Sequence, residues 1–264
     1  MINWGMGHYE WTAAELEPVA ERVVSLAALR PGERVVDLAT GTGNAALLAA
    51  RVGAAVTGLD LAPRLIDVAR KRAAGEGVEA SFVVGDMGAL PFADATFDVA
   101  LSVFGLIFAD EPSRAFVETV RVLRPDGRAL LSVWVPAGPI DAVVGTFGRA
   151  MAAATGTAPD RFAWHDPEAV GALAARHGTQ VRFHDDVLSI TAESPEAYFA
   201  ANEQRHPMIV AGRPVLERAG AYRHVREQAL ATLREGNEDP GAFRVSSPYR
   251  LIEIRHLTAP STPS

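Results

Sequence analysis

The sequence predicts an α/β protein: a doubly wound sheet, mostly parallel and ending in an antiparallel strand, plus helical cap insertions. Three observations carry this. Strand-like and helix-like stretches alternate five times through the first half, the pattern of right-handed βαβ crossovers. The strands are apolar nearly throughout, as in a sheet covered by helices on both faces. Two helix-rich stretches, about 136–165 and 192–240, then interrupt the alternation.

Taken in order, Thr12-Ala13-Ala14-Glu15 reads as a capping box. It opens a helix over 12–29, in which Leu16, Val19, Ala20 and Val23 recur at helical spacing. Pro31-Gly32 ends that helix. Arg34–Leu38 is the first strand, and a helix follows from Gly43 to Val52. Ala55–Leu59 is the second strand, ended by Asp60, and Pro63 opens a helix reaching Gly75. The third and fourth strands are Ala80–Val84 and Phe97–Val103. A helix from Pro112 stops at the turn Pro125-Asp126-Gly127, and the fifth strand is Arg128–Val135. Beyond it come a helix over Pro139–Thr155 and a second helix capped by Asp166 and ending at Gly178. A sixth strand at Val181–Thr191 precedes a broken helical stretch from Ser194 to about Glu235. The last strand is Phe243–Leu257, interrupted by Pro248. With the sixth strand parallel, the last must return antiparallel. Both insertions then leave the sheet at its carboxyl edge, where open α/β sheets bind ligands. The tail TAPSTPS is expected to fray.

Composition excludes several functions. The chain has 264 residues, and the inserted segments read as a cap on one domain spanning 1–264. Its formal net charge of −7 argues against a nucleic-acid partner, which needs a basic face. With Cys 0 there are no disulfides, thiolate metal sites or cysteine nucleophiles. Lys71 is the one lysine and sits in a charged helical run, which discounts Schiff-base chemistry. MINWGMGHYEW lacks the basic-then-apolar order of a signal peptide, and no apolar run is long enough to span a membrane. The expectation is a cytoplasmic monomer or homodimer acting on a small molecule, with no membrane or nucleic-acid partner.

The chemistry concentrates in VVDLATGTGNAA, residues 35–46. A strand ends in Asp37, and Gly41-x-Gly43 turns into a helix; glycines there let the backbone approach a ligand. Asp60 ends the next strand, where a carboxylate can accept from two ribose hydroxyls. A glycine turn plus a ribose acid points to an adenosine-type cofactor. GTGNAA also fits the dinucleotide fingerprint, which would make the protein a nicotinamide-dependent oxidoreductase. In that motif the helix start holds a pyrophosphate, and Asp37 would repel it. S-adenosylmethionine has no phosphate and carries a sulfonium and an ammonium, so the same carboxylate favours it.

Four stretches in order carry a resemblance: VVDLATGTG at 35–43, VTGLDLAPRLIDVAR at 56–70, GDMGALPFADATFDVALSVFGL at 85–106 and RVLRPDGRALLSVW at 121–134. On these, residues about 30–135 resemble the class I S-adenosylmethionine-dependent methyltransferases. The similarity is to the branch with the ubiquinone and menaquinone C-methyltransferases and many small-molecule methyltransferases. The resemblance implies a Rossmann-like sheet, S-adenosylmethionine as cofactor and S-adenosylhomocysteine as its product. It implies that Asp37, Gly41 and Gly43 surround the methionine part, with Thr40 and Asn44 beside them. Asp60 would hold the ribose and Leu61 would lie under the adenine. Asp86 would accept from the adenine amino group, and Met87 would pack on the ring. Ser102, Val103 and Phe104 would line the methyl-transfer face. Ala39 departs from the family, which usually has glycine there, so a slight backbone adjustment is expected. Tyr9, near Trp4, is a candidate for the cofactor carboxylate.

Methyl transfer is an in-line displacement from an already activated donor, so most catalysis is positioning and exclusion of water. An oxygen or carbon acceptor also loses a proton to a nearby base. Tyr198, Asn202 and His206 are spaced four apart and share a helix face, and His206 is the candidate base. The fourth strand runs into SVFG rather than the [DN]-P-P-[YF] of DNA-adenine and glutamine methyltransferases. WVPAGPID lacks the D-N pair of catechol-type enzymes, so no metal is expected. Phe147, Phe162, Trp164, Phe199 and Met208 suggest an apolar, ring-containing acceptor. A non-methylating protein binding the same cofactor on the same fold is the alternative, since the binding motif would be shared.

Overall fold

The computed structural model describes residues 4–157 and 162–257; the TAPSTPS tail lies outside them. Five strands form where the sequence places them or within a few residues: β1 Arg34–Leu38, β2 Ala55–Asp60, β3 Ala80–Val84, β4 Phe97–Val103 and β5 Leu123–Trp134. The remaining two are β6 Thr179–Ala192 and β7 Phe243–His256. The sheet has 7 strands in the order β3-β2-β1-β4-β5-β7-β6, parallel from β3 to β5 and antiparallel at the β7/β6 end. β1 lies inside the sheet between β2 and β4, with Asp37 beside Gly58 of β2 and Leu101 of β4. That register brings the ends of three strands to one carboxyl edge.

The chain divides into two compact units. One, the sheet unit, comprises Glu17–Val133, Phe162–His184 and Arg250–Ser264. It holds α2 Glu17–Ala27, α3 Asn44–Arg51, α4 Pro63–Glu76, α5 Pro112–Val122 and α7 Pro167–Arg176. Three of these open on a proline in the first turn, where a missing N–H costs nothing. One core cluster joins Val36, Leu38, Ala100 and Leu131 of the strands to Phe116 of α5 and Leu173 of α7. Trp164 joins it, 3% exposed, with Phe162 and Phe116 at ring distances of 4.9 and 6.5 Å. Trp164 is therefore core of the sheet unit, and half-buried Phe162 packs against that core.

The other, the helical unit, comprises Met1–Leu16, Trp134–Arg161 and Asp185–Tyr249. Its helices are α1 Tyr9–Glu15, α6 Gly138–Thr155, α8 Pro195–Arg205, α9 Pro207–Arg218 and α10 Tyr222–Glu235. Leu216, Tyr222 and Val225 form its small cluster, covered by Phe147 and Met151. Phe147 also stacks on Phe199 at 6.3 Å.

Three expectations are corrected. The single helix over 12–29 is two, broken at Leu16, because Pro18 has no N–H and is tolerated only in a first turn. Thr12 is accordingly inside α1 and caps nothing; His8 precedes the helix without a side-chain cap. Pro125-Asp126-Gly127 does not separate a helix from a strand. α5 stops earlier, and the three residues lie within β5, where the pairing with β4 shifts register between Phe97 and Val99.

Candidate functional site

The motif residues of the sheet unit converge at the carboxyl ends of β1, β2 and β4. Asp37, the fourth residue of β1, is 2% exposed. Its Oδ2 accepts from Thr40 Oγ1 at 2.6 Å and from the Ala46 amide of α3 at 3.1 Å. Burial pushes its carboxyl up to about 7 against those two hydrogen bonds, and the neighbouring Asp60 charge adds to the rise. Asp60 accepts from the Gly41 amide at 2.9 Å and from the Ala62 amide at 2.8 Å, one on each oxygen. Burial raises it as well, opposed by those amides. Each oxygen keeps a lone pair for a ribose hydroxyl.

The turn between the acids needs unusual backbone. Ala39, Gly41 and Gly43 have φ of 53°, 57° and 89°, all in the left-handed region. The Thr40 amide donates to Leu59 O at 2.9 Å and the Gly43 amide to Thr40 O at 2.8 Å, closing the loop over β2. Opposite it, Phe104 also has positive φ, 51°, followed by Gly105. A Cβ on Gly105 would lie 2.5 Å from the Ala39 Cβ. The alanine at 39 thus requires a glycine at 105. Two strained non-glycine residues face one another across this edge, and such strain clusters at ligand sites.

Four further residues brace the edge, and the motif reading did not single them out for this. Arg72 Nη1 donates to Asn44 Oδ1 at 2.6 Å and to Thr42 O at 2.9 Å, fastening the glycine turn to α4. Ser132 Oγ accepts from the Phe104 amide at 2.9 Å. Gly58 leaves room for Phe82 and Thr40, which an added Cβ would approach to 2.7 and 2.9 Å. Gly105 is the fourth. Arg72 lies 30 residues from its partner, so only the basic run Arg70-Lys71-Arg72 marks it in sequence.

The other expected residues divide. Ser102 is fully buried; its hydroxyl donates to Leu38 O at 2.9 Å and accepts from the Leu106 amide at 3.0 Å. It ties β4 to β1 from inside. Phe104 is 4% exposed, while Val103 is half-buried. Leu61 is 50% exposed just past β2, an apolar surface open for a flat ring to cover. Asp86 is exposed and makes an Asx turn onto the Gly88 amide at 2.8 Å; Met87 packs against the core. An open cleft at the opposite edge, lined by Arg34, Ala55, Arg70 and Ala80, contains none of these residues.

Tyr9 and His206 belong to the helical unit. Tyr9 meets Trp4 edge-on at 5.8 Å, and Trp4 meets His206 at 6.5 Å. His206 is the N-cap of α9: its Nδ1 accepts from the Met208 amide at 3.3 Å. Burial lowers the imidazole to about 4. At neutral pH the ring is therefore neutral with its proton on Nε2, which leaves no free lone pair for a base. His206 thus caps α9 through its side chain.

The methyltransferase domain family matches residues 36–131, which run from β1 into β5 and contain every expected cofactor residue of the sheet unit. An uncharacterised protein of Mycobacterium tuberculosis is 34% identical over 71% of this chain and 69% of its own. The demethylmenaquinone methyltransferase of Thermus thermophilus is 39% identical over 44% of this chain and 53% of its own. The chain belongs to the class I methyltransferases. The methyltransferase shares its fold with the solved YcgJ protein of Bacillus subtilis, at TM-score 0.63 and 21% identity, covering 91% of this chain and 98% of that one. Its cofactor is S-adenosylmethionine. The residues at these strand ends fit that group. Asp37 is a desolvated carboxylate with no cation beside it among the described residues, the state a cationic ligand relieves. Among the described residues, no helix of the methyltransferase is long and apolar enough to cross a membrane.

Proposed function

We propose that this methyltransferase transfers a methyl group to an oxygen or carbon of a small, largely apolar acceptor. The observation that carries the reading is the pair Asp37 and Asp60, two buried acids held by backbone amides at adjoining strand ends. The cofactor supplies a methyl group on a sulfonium, already activated for displacement. In this reading Asp37, with Thr40 and the amides around Gly41 and Gly43, binds its methionine end. Asp60 takes the ribose, Leu61 and Met87 the adenine faces, and Asp86 the adenine amino group. Val103 and Phe104 exclude water beside the methyl group, while Ser102 keeps their strand end in place. The aromatic helical unit, with Trp4, Tyr9, Trp11, Phe147, Phe199 and Tyr198, suits an acceptor with a ring.

A methylation screen over phenolic and polyketide-like compounds tests the acceptor class, read by S-adenosylhomocysteine release. Turnover on ring compounds is expected. Turnover confined to amines, nucleic acid or protein would overturn the reading.

A further inference from the structure

Residues 85–96 of the sheet unit join β3 to β4 without a helix or strand of their own, yet they carry Asp86 and Met87. Their order comes from α5. Arg121 Nε and Nη2 donate to the two oxygens of Glu118 at 2.7 and 2.8 Å, a bidentate pair on one helix. Nη2 also donates to Leu90 O at 3.2 Å, and Nη1 donates to Phe92 O at 2.8 Å and to Asp94 Oδ1 at 2.7 Å. Every N–H of the guanidinium therefore has an acceptor. Glu118 Oε2 accepts in addition from the Leu90 amide at 2.7 Å. Beside them the carbonyls of Arg121 and Val122 accept from the Ala95 and Thr96 amides at 3.0 and 2.9 Å. The hydrogen bond from Arg121 holds the Glu118 carboxyl below its ordinary range, so the pair is charged at neutral pH.

The pair thus grips Leu90 by its amide and its carbonyl, and Leu90 is 6% exposed in the core. Leu90 follows a turn that begins at Asp86. The Ala89 amide donates to Asp86 O at 3.0 Å and the Gly88 amide to Asp86 Oδ1 at 2.8 Å. At the other end the Gly85 amide donates to Asp60 O at 3.0 Å, which hangs the turn on β2. The Asp86 side chain is exposed, so its direction is set by these two anchors. An exposed ion pair adds little to stability by itself. A fully bonded fork that holds backbone atoms fixes geometry, and a lysine has no planar fork to replace it. Geometry matters here because a carboxylate accepts from an amino group and repels a carbonyl oxygen, and it tells them apart only while it is aimed.

We propose that Glu118 and Arg121 are positioning residues for the nucleobase end of the cofactor, aiming Asp86 at the adenine amino group without touching it. This rests on the reading of Asp86 above and extends it to what sets nucleobase selectivity. The test uses the full chain and two probes, S-adenosylhomocysteine and S-inosylhomocysteine, in which a carbonyl oxygen replaces the amino group. Affinities come from calorimetry. The wild-type protein is expected to prefer the adenine probe about tenfold. Arg121→Lys should cut that preference to about twofold, by weakening the adenine probe and leaving the inosine probe in place. Glu118→Gln keeps an acceptor for the Leu90 amide and should give an intermediate preference. A pair that only stabilised the fold would weaken both probes alike and keep their ratio. A preference that survives both substitutions, or equal weakening of both probes, would overturn the proposal and leave the Asp86 reading standing. Should Arg121→Lys fail to fold, Glu118→Gln decides alone, and an unchanged ratio in it overturns the proposal. A wild-type ratio near one would overturn the Asp86 reading, and this proposal with it.

Discussion

The sheet unit and the helical unit treat buried acids in opposite ways. Asp37 and Asp60 are surrounded by donors: Thr40 and the amides of Gly41, Ala46 and Ala62. Glu15 is half-buried on α1, and among the described residues no donor or cation reaches its carboxyl. The sheet unit can supply amides because a helix start and a strand end leave N–H groups unused. α1 presents only side chains on its packed face. The difference lies in the backbone: strand ends and helix starts offer amides to an acid, and the flank of a helix does not.

The sharpest way to break this comparison is at Asp60. Asp60→Ala removes both the ribose acceptor and the anchor of the Gly41 amide. It is expected to weaken S-adenosylhomocysteine binding by about 3 kcal/mol, on the order of 100-fold, measured by calorimetry. An unchanged affinity would remove the ribose assignment. Next comes the strained contact between the loops. Gly105→Ala sets a Cβ 2.5 Å from that of Ala39, and also within 2.9 Å of Ser102 Oγ. A loss of roughly 2–3 kcal/mol is expected, seen in Tm. Adding Ala39→Gly should recover part of it, because one collision is then removed. Simple additivity of the two changes would show that 39 and 105 do not couple.

Protonation separates the units more finely. Asp37 has a folded-state pKa raised by burial, so the folded protein binds more protons than the unfolded chain between the ordinary carboxylate value and about 7. Its contribution to stability is full at low pH and lost as pH rises through that window. A cationic ligand favours the ionised form, so cofactor affinity should rise with pH to about 7 and then level off. Calorimetry from pH 5.5 to 8.5 reads this, and Asp37→Asn should flatten the profile. Glu15 follows the same sign, with its penalty developing as pH rises toward about 7. Glu15→Gln should therefore stabilise the ligand-free protein at pH 8 by about 1–2 kcal/mol. A lower Tm in that variant would mean the carboxylate has a partner. The smallest effect is expected at His206. His206→Asn keeps an N-cap acceptor and should hold both Tm and turnover near wild type. A loss of turnover by orders of magnitude would return the imidazole to catalysis.

How much could be read before the fold differs along the chain. β1 to β4 agree with their expected spans because a buried parallel strand shows as an unbroken apolar run between Gly, Pro and Asp punctuation. The Asp37, Gly41-x-Gly43 and Asp60 set was legible for a related reason: strand-end chemistry follows the strands. Thr12 misled because its capping-box spacing is equally compatible with a helix interior once the chain starts coiling at Tyr9. Trp164 looked like insertion material because nothing local shows that it packs on Phe116. The cap that His206 makes was not legible, because a sequence displays the imidazole and not the amide its Nδ1 accepts from.

The sequence by itself determined the parallel strands, the glycine turn and the two strand-end acids. Each depends on residues a few positions apart, where steric and hydrogen-bonding rules are local. Tertiary structure decided the rest. It set Arg72 on Asn44 across 28 residues, and Gly105 against Ala39. It also buried the Thr12 hydroxyl without a partner among the described residues and left Glu15 half-buried. Burial and pairing between distant residues are properties of packing, and packing sets the proton affinity of every acid in both units.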